Sequence, residues 1–166
     1  MSGPHDVTTL LALDAGVRET GWAIFRTEGA IETGAIGTAT RRRVDAESRV
    51  GQLVKSLDLL VAQWQPVNVA HSLPSGIHWP VPALDLLQAS LVQWSQSQGL
   101  ALHSYTTQEV RVAIVGHPNA SRQQLAYAMM ERLGLIGQSK TTHEWEALAV
   151  GCYHRNRAVG QFDNEL

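Results

Sequence analysis

Cysteine is nearly absent from this chain of 166 residues, since Cys152 is its one example. One cysteine cannot form an internal disulfide, so the sequence favours a reducing compartment and we expect a cytoplasmic protein. Because Cys152 lies in an apolar stretch, we expect it to be an ordinary core residue.

Long hydrophobic runs are also missing. No run approaches the ~20 apolar residues that a membrane-spanning helix requires, and residues 1–6 lack the basic-then-apolar layout of a signal peptide. Hydrophobic residues make up 44% and charged residues 17% of the chain, which is typical of a globular protein. The length suits one domain, which we expect at residues 7–157, followed by a loose tail at 158–166.

Lysine is scarce, because 11 of the 13 basic residues are arginines, and the net charge is −2. Proteins that depend on phosphate contacts usually carry an excess of basic residues, so this balance argues mildly against a nucleic-acid partner. However, Arg41, Arg42 and Arg43 are consecutive. The planar guanidinium suits bidentate phosphate contacts, although a solvated turn or helix start explains this triplet equally well.

The spacing of apolar residues predicts the element order βββαβαβααα. The predicted strands span residues 7–13, 21–26, 30–38, 67–70 and 100–105. The predicted helices span residues 45–64, 83–98, 107–115, a stretch that ends at 133 and a stretch that ends near 156. The last two helices begin after caps at Asn119 or Ser121 and at Thr141 or Thr142. Hairpins followed by strands connected through helices imply a five-stranded mixed sheet with helices on its faces.

The first candidate site follows the first predicted strand, where Asp14 precedes Ala15 and Gly16. A carboxylate after a buried strand lies at the mouth of the sheet, and small neighbours let a phosphate or a metal ion approach the backbone. Such an oxygen ligand suits a hard divalent cation. Taken alone, an aspartate at a strand end is more commonly a turn former.

The second candidate site is the start of the last predicted helix. His143 and Glu146 are three residues apart, so they share a helix face and can point at a common spot. Imidazole and carboxylate together suit a divalent transition metal, whereas carboxylates and water suit Mg²⁺. An exposed, capped helix turn is the more common origin of such a pair. Glu144 lies on a different face and is predicted to be solvated.

Four segments, taken together, resemble the RuvC family of Holliday-junction resolvases in the RNase H-like superfamily. The resemblance covers about residues 8–154, with the segments in the family's order. In the first segment the matching residues are Asp14, Gly16, Arg18, Thr20 and Gly21. The other segments are Glu47-Ser48-Arg49 heading a helix, Val115-Gly116 followed by residues 120–124, and Glu146-Ala147-Leu148-Ala149.

The resemblance implies an RNase H-like fold and a homodimer that cuts four-way DNA junctions with a divalent metal, Mg²⁺ or Mn²⁺. It implies that Asp14 is the bridging metal ligand and that Glu146 is a ligand in place of the commoner aspartate. His143 falls where some members carry histidine rather than aspartate. In such two-metal sites one ion prepares the attacking water and the other stabilises the leaving oxygen.

Several basic residues are expected to contact DNA phosphates. They are Arg18, Arg122, Lys140, Arg41, Arg42 and Arg43. The family tends to carry a basic residue that faces DNA in the segment of Arg122. Trp79, in a proline-rich loop, could stack on an unpaired base, although core packing or a dimer contact explains it equally well.

The sequence departs from the family where the fourth strand ends. Family members carry a glutamate there, whereas this chain carries Ser72, with His71 adjacent. A neutral hydroxyl cannot compensate two divalent charges held ~4 Å apart. A register slip that brought in His71 would point it to the other face of the sheet, and Asp85 is not expected to reach the site.

Three functions therefore remain open. The chain is a nuclease with a modified site that prefers Mn²⁺, or a RuvC-fold subunit without cleavage that binds DNA or protein. Asp14, His143 and Glu146 favour the first; the acidic balance and the lost glutamate favour reduced or absent cleavage. Sugar kinases and actin-like ATPases also begin with Asp-x-Gly after a strand, but they need two such domains and a longer chain.

Overall fold

The computed structural model describes residues 8–16, 18–37, 46–73 and 82–158 of the chain. The order of its strands and helices is the predicted one. The elements are β1 (Leu10–Ala15), β2 (Glu19–Arg26), β3 (Gly29–Gly37), α1 (Ala46–Trp64), β4 (Asn68–Leu73), α2 (Pro82–Ser97), β5 (Ala101–Thr106), α3 (Thr107–Ile114), α4 (Arg122–Leu133) and α5 (Thr142–Ala158). Within these residues, no helix is both long and apolar enough to cross a membrane.

The strands form one mixed sheet in the order β3-β2-β1-β4-β5. The three N-terminal strands pair antiparallel, while β1 pairs with β4, and β4 with β5, in parallel. The predicted five-stranded mixed sheet is therefore confirmed. Because parallel strands point the same way, the carboxyl ends of β1, β4 and β5 meet at one edge, where α/β proteins commonly place their sites.

Strand β4 is longer than predicted, because it continues past residue 70 to Leu73. His71 and Ser72 are polar, which is why the apolar pattern ended there. Both are nevertheless buried, with exposed fractions of 2% and 8%, since each finds a hydrogen-bond partner on a neighbouring strand. Side chains alternate between the faces of a strand, so these two residues point in opposite directions.

Each face of the sheet is covered by its own group of helices. On one face, Leu11, Leu13 and Ile24 pack against apolar residues of α1 and α2. On the other, the residues between them in β1 pack against α3, α4 and α5. Cys152 is buried in this second cluster, as predicted, and burial raises the pKa of its thiol to about 11.

Side-chain caps determine where the last two helices begin. Ser121 caps α4, and its hydroxyl accepts from the Gln124 N–H while the Gln124 side chain accepts from the Ser121 N–H. At α5, Thr141 and Glu144 exchange the same pair of bonds. The prediction that Glu144 is merely solvated is wrong, because its carboxylate also accepts a hydrogen bond from the Thr33 hydroxyl at 3.0 Å.

Candidate active site

A cleft of about 320 Å³ opens at the sheet edge where the carboxyl ends of β1, β4 and β5 meet. Helix α5 covers one side of it, and α3 together with the start of α4 covers the other. The residues that line it are Asp14, Ala15, Gly16, Ser72, Leu73, Thr107, Arg111, Arg122, His143 and Glu146.

Asp14 lies at the centre of a hydrogen-bonded group that joins three elements. Its Oδ1 accepts a hydrogen bond from the Ser72 hydroxyl at 2.7 Å. Its Oδ2 lies 2.7 Å from the Nδ1 of His143. An ionised carboxylate can only accept, so the imidazole N–H is the donor. This hydrogen bond is the main reason why the pKa of His143 is raised, in opposition to burial.

The contact between Asp14 and His143 depends on a close approach of α5 to β2. A Cβ atom placed on Gly21 would lie 2.1 Å from the backbone oxygen of His143. No side chain fits in that space, so the glycine lets the first turn of α5 lie against the strand. The Thr-Gly of the first motif therefore has a packing role beside the site.

Glu146 lines the same cleft but bonds to a different partner. Its two carboxylate oxygens accept from the two terminal nitrogens of Arg111, with Nη2–Oε1 at 2.5 Å and Nη1–Oε2 at 3.3 Å. Burial raises the pKa of the Glu146 carboxyl, and the hydrogen bond and charge of Arg111 oppose that rise. The pair is a bidentate fork, the strong form of an arginine–carboxylate contact.

The donor set does not fit a two-metal centre. Both oxygens of Asp14 bond to protein groups, and both oxygens of Glu146 face a guanidinium. In the described part of the chain, no three His, Cys, Asp or Glu side chains are grouped so as to hold a metal ion. The structure thus brings Asp14 and His143 into contact and leaves Glu146 beside them in the cleft, neutralised by Arg111.

Ser72 lies where the resemblance places a family glutamate. Leu13 of β1 is opposite His71 of β4, so the next residues along the two strands are Asp14 and Ser72. The 2.7 Å hydrogen bond between them puts Ser72 on the cleft face of the sheet. His71 points to the other face, where its Nε2 lies 2.7 Å from the Ser104 hydroxyl. Burial there lowers the pKa of His71 to about 4.

The predicted DNA-contacting residues are spread over the same side of the molecule. Arg122, the first residue of α4, is exposed and lines the cleft. Arg18 is exposed in the turn between β1 and β2. Lys140 does not line the cleft; its ammonium donates to the Thr33 hydroxyl at 2.7 Å and lies 6.0 Å from the ring centroid of Trp145. The triplet 41–43 and Trp79 fall outside the described residues.

Sequence reasoning missed Arg111, which contacts one of the predicted site residues. Its position between Val110 and Val112 in a short helix offers no local signal. The signal that could have found it is topological, because α3 follows directly on β5, whose carboxyl end belongs to the same sheet edge. Thr107, at the start of that helix, lines the cleft for the same reason.

Comparison with known proteins places this fold and cleft in one family. A family model described as crossover junction endodeoxyribonuclease RuvC matches residues 10–154. A curated RuvC of Marinobacter nauticus is 28% identical over 158 residues, covering 90% of this chain and 88% of that protein. A RuvC of Geobacter sulfurreducens is 29% identical over 158 residues, covering 90% and 93%.

Solved structures agree with the fold. The structure of Thermus thermophilus RuvC superposes with a TM-score of 0.78 at 18% identity, covering 92% of this chain and 97% of that one. The same protein in complex with Holliday junction substrate gives 0.77 at 18% identity, covering 93% and 96%. The predicted RNase H-like architecture is thereby confirmed.

Proposed function

The chain belongs to the RuvC family of crossover junction endodeoxyribonucleases, and we propose from this that it binds branched, four-way-junction DNA with its cleavage activity reduced or lost. Binding is the part of the family's activity that needs no catalytic carboxylate. Cleavage is the part that the altered cleft affects. We further propose that the binding unit spans residues 7–157 and acts as a homodimer.

One observation carries the proposed loss of cleavage: the Ser72 hydroxyl donates a hydrogen bond to Asp14 where the family places a carboxylate. Nucleases of this family depend on divalent metal ions, which require several anionic oxygen ligands close together. Ser72 brings no charge, and its proton occupies one of the two oxygens that Asp14 could offer. The cleft has therefore lost two ligand positions through one substitution.

The cationic residues of this surface support DNA binding. Arg122 is exposed at the cleft, and its planar guanidinium is suited to a phosphate. Arg18 and Lys140 flank the same sheet edge, one in the turn after β1 and the other just before α5. The net charge of −2 does not oppose this, since phosphate contacts depend on where charges lie.

An active nuclease with an altered site is the second candidate. The contact of Asp14 with His143 favours it, because this pair keeps one carboxylate and one imidazole at the position of the family site. Such an enzyme would prefer Mn²⁺, which accepts nitrogen ligands more readily than Mg²⁺ does.

Binding and cleavage of the same substrates separate the two candidates. A labelled four-way junction and a linear duplex of equal length are titrated with the full chain, and cleavage is followed with Mg²⁺ or Mn²⁺ beside Thermus thermophilus RuvC. We expect preferential binding of the junction, with cleavage slower than that of the reference enzyme by about 100-fold or more. Cleavage at a comparable rate selects the second candidate, and a lack of preference for the junction contradicts both.

A further inference from the structure

Arg111 is held in the cleft by three hydrogen bonds. Its Nε donates to the backbone oxygen of Ala120 at 2.8 Å, and its two terminal nitrogens donate to the carboxylate of Glu146. Only 11% of the Arg111 side chain and 10% of the Glu146 side chain remain exposed. A guanidinium bound at both ends and buried to this extent is a permanent part of the site.

This arrangement removes Glu146 from the reach of a divalent ion. An incoming cation would have to displace the guanidinium and leave it as an unpaired charge in a buried position. Breaking a buried ion pair from one side is strongly unfavourable. Together with the hydrogen bond from Ser72 to Asp14, the cleft has two separate obstacles to metal binding, on two different carboxylates.

The same guanidinium retains capacity to bind an anion. Arginine has five N–H donors, and the three hydrogen bonds to Ala120 and Glu146 leave two of them. The carboxylates of Asp14 and Glu146 are balanced by the guanidinium groups of Arg111 and Arg122 among the residues that line the cleft. A phosphodiester therefore meets no excess of negative charge there.

We propose that Arg111 is a built-in cation of this cleft, which excludes a divalent ion from Glu146 and holds a DNA phosphate in the ion's place. The proposal rests on the function proposed above, because it states how a junction-binding member of the family contacts DNA at its altered site. It assigns two consequences to one residue: metal exclusion and phosphate binding. Each consequence has its own experiment.

Metal exclusion is tested by calorimetric titration with Mn²⁺ in the absence of DNA. The proteins compared are the unmodified chain, Ser72→Glu, and the double variant Ser72→Glu/Arg111→Gln. We expect uptake by the double variant alone, accompanied by a rise in its Tm because the ion binds only the folded state.

Three results would overturn metal exclusion. They are uptake by the unmodified chain that Asp14→Asn removes, uptake by Ser72→Glu while Arg111 is still present, and a folded double variant that takes up no Mn²⁺. If the double variant does not fold, the first two measurements still decide the question.

Phosphate binding is tested in EDTA with two matched double variants. Arg111→Gln/Glu146→Gln replaces both charges of the cleft pair, so no buried charge is left unpaired. The control, Arg157→Gln/Glu109→Gln, removes the other ion pair that joins α3 to α5, which has an N–O distance of 3.7 Å and is far more exposed. Glutamine at position 109 can still cap α3.

We expect the cleft variant to lose about tenfold or more in junction affinity and the control to stay within about twofold, as for the loss of a charged hydrogen bond compared with a surface pair. Equal losses in the two variants would overturn the phosphate role while leaving junction binding intact. Failure of the unmodified chain to bind a junction, with or without Mg²⁺, would instead overturn the proposed function and this inference with it.

Discussion

At the scale of single residues, the position of a side chain on one or the other face of β4 decides its role. Ser72 faces the cleft and bonds to Asp14, while its neighbour His71 faces α1 and α2 and bonds to Ser104. A one-residue difference along a strand is a change of face. The imidazole adjacent to the altered position is therefore a core group, and the hydroxyl is the site group.

Acid should destabilise the protein through His71. Its pKa is lowered to about 4 by burial, whereas an unfolded histidine titrates near 6.5. Between these values the unfolded state binds more protons, so stability is lost as pH falls from about 6.5 to 4 and the loss does not grow below that. The difference in unfolding free energy between the unmodified chain and His71→Gln should shrink by about 3 kcal/mol over that window, as measured by urea unfolding.

A flat difference across that pH range would contradict this assignment. His154, whose pKa is also lowered to about 4, titrates in both proteins and cancels from the comparison.

Removal of one partner of the buried Arg111–Glu146 pair should be costly. Glu146→Ala leaves the guanidinium buried and unpaired, so we expect a loss of about 3–5 kcal/mol in unfolding free energy. The control is Arg157→Ala, which removes a cation whose side chain is 55% exposed and should cost at most about 1 kcal/mol. Similar values for the two variants would show that the buried pair is not a firm contact.

At the scale of elements, helix α5 brings the site together. It contributes His143 and Glu146 to the cleft, while small residues such as Ala147 and Ala149 let it lie close to the sheet as part of the core. Its first turn touches β2 at Gly21. The position of the imidazole beside Asp14 is thus a consequence of helix–sheet packing.

Gly21→Ala should separate the two halves of the site. The added methyl would lie 2.1 Å from the His143 backbone oxygen, so the start of α5 must move away. We expect a loss of stability of about 1–3 kcal/mol or more, as for other overpacked positions. Gly37→Ala is the matched control, because nothing lies within 4 Å of a Cβ at that position.

Thermal and urea unfolding of both glycine variants measure this effect. An equal effect of the two substitutions would contradict the close approach of α5 to β2.

At the scale of the whole molecule, a net charge of −2 limits how DNA can be bound. A chain without a general excess of basic residues must rely on a few well-placed cations. Among the described residues, Arg18, Arg111, Arg122 and Lys140 lie in the cleft or at its edge of the sheet. Long-range attraction to DNA should be weak, and local contacts should supply most of the affinity.

The salt dependence of junction binding should therefore be shallow. If these four cations each replace one condensed counterion per protomer, the slope of log K against log salt concentration is about −3 to −4 per protomer. Arg122→Gln should reduce its magnitude by about 1 unit, whereas Arg132→Gln, in the last turn of α4, should leave it unchanged. A slope near −10, measured by anisotropy, would indicate a broad basic surface instead.

Local patterns were sufficient for much of the architecture. Apolar periodicity predicted the order of the elements, and the capping residues predicted the starts of α4 and α5, because both depend on neighbours a few residues away. The same patterns ended β4 at residue 70, since they cannot show that His71 and Ser72 are buried with partners on other strands. The motif residues identified Asp14 and His143, which the structure brings into contact.

The sequence by itself determined the family, the mixed sheet and the absence of a carboxylate at position 72. Only the tertiary structure decided that Glu146 is bound by Arg111, a residue 35 positions earlier in the chain. The physical reason is that the charge state of a buried carboxylate depends on which groups fold against it, and α3 reaches α5 only once both have packed on the same face of the sheet.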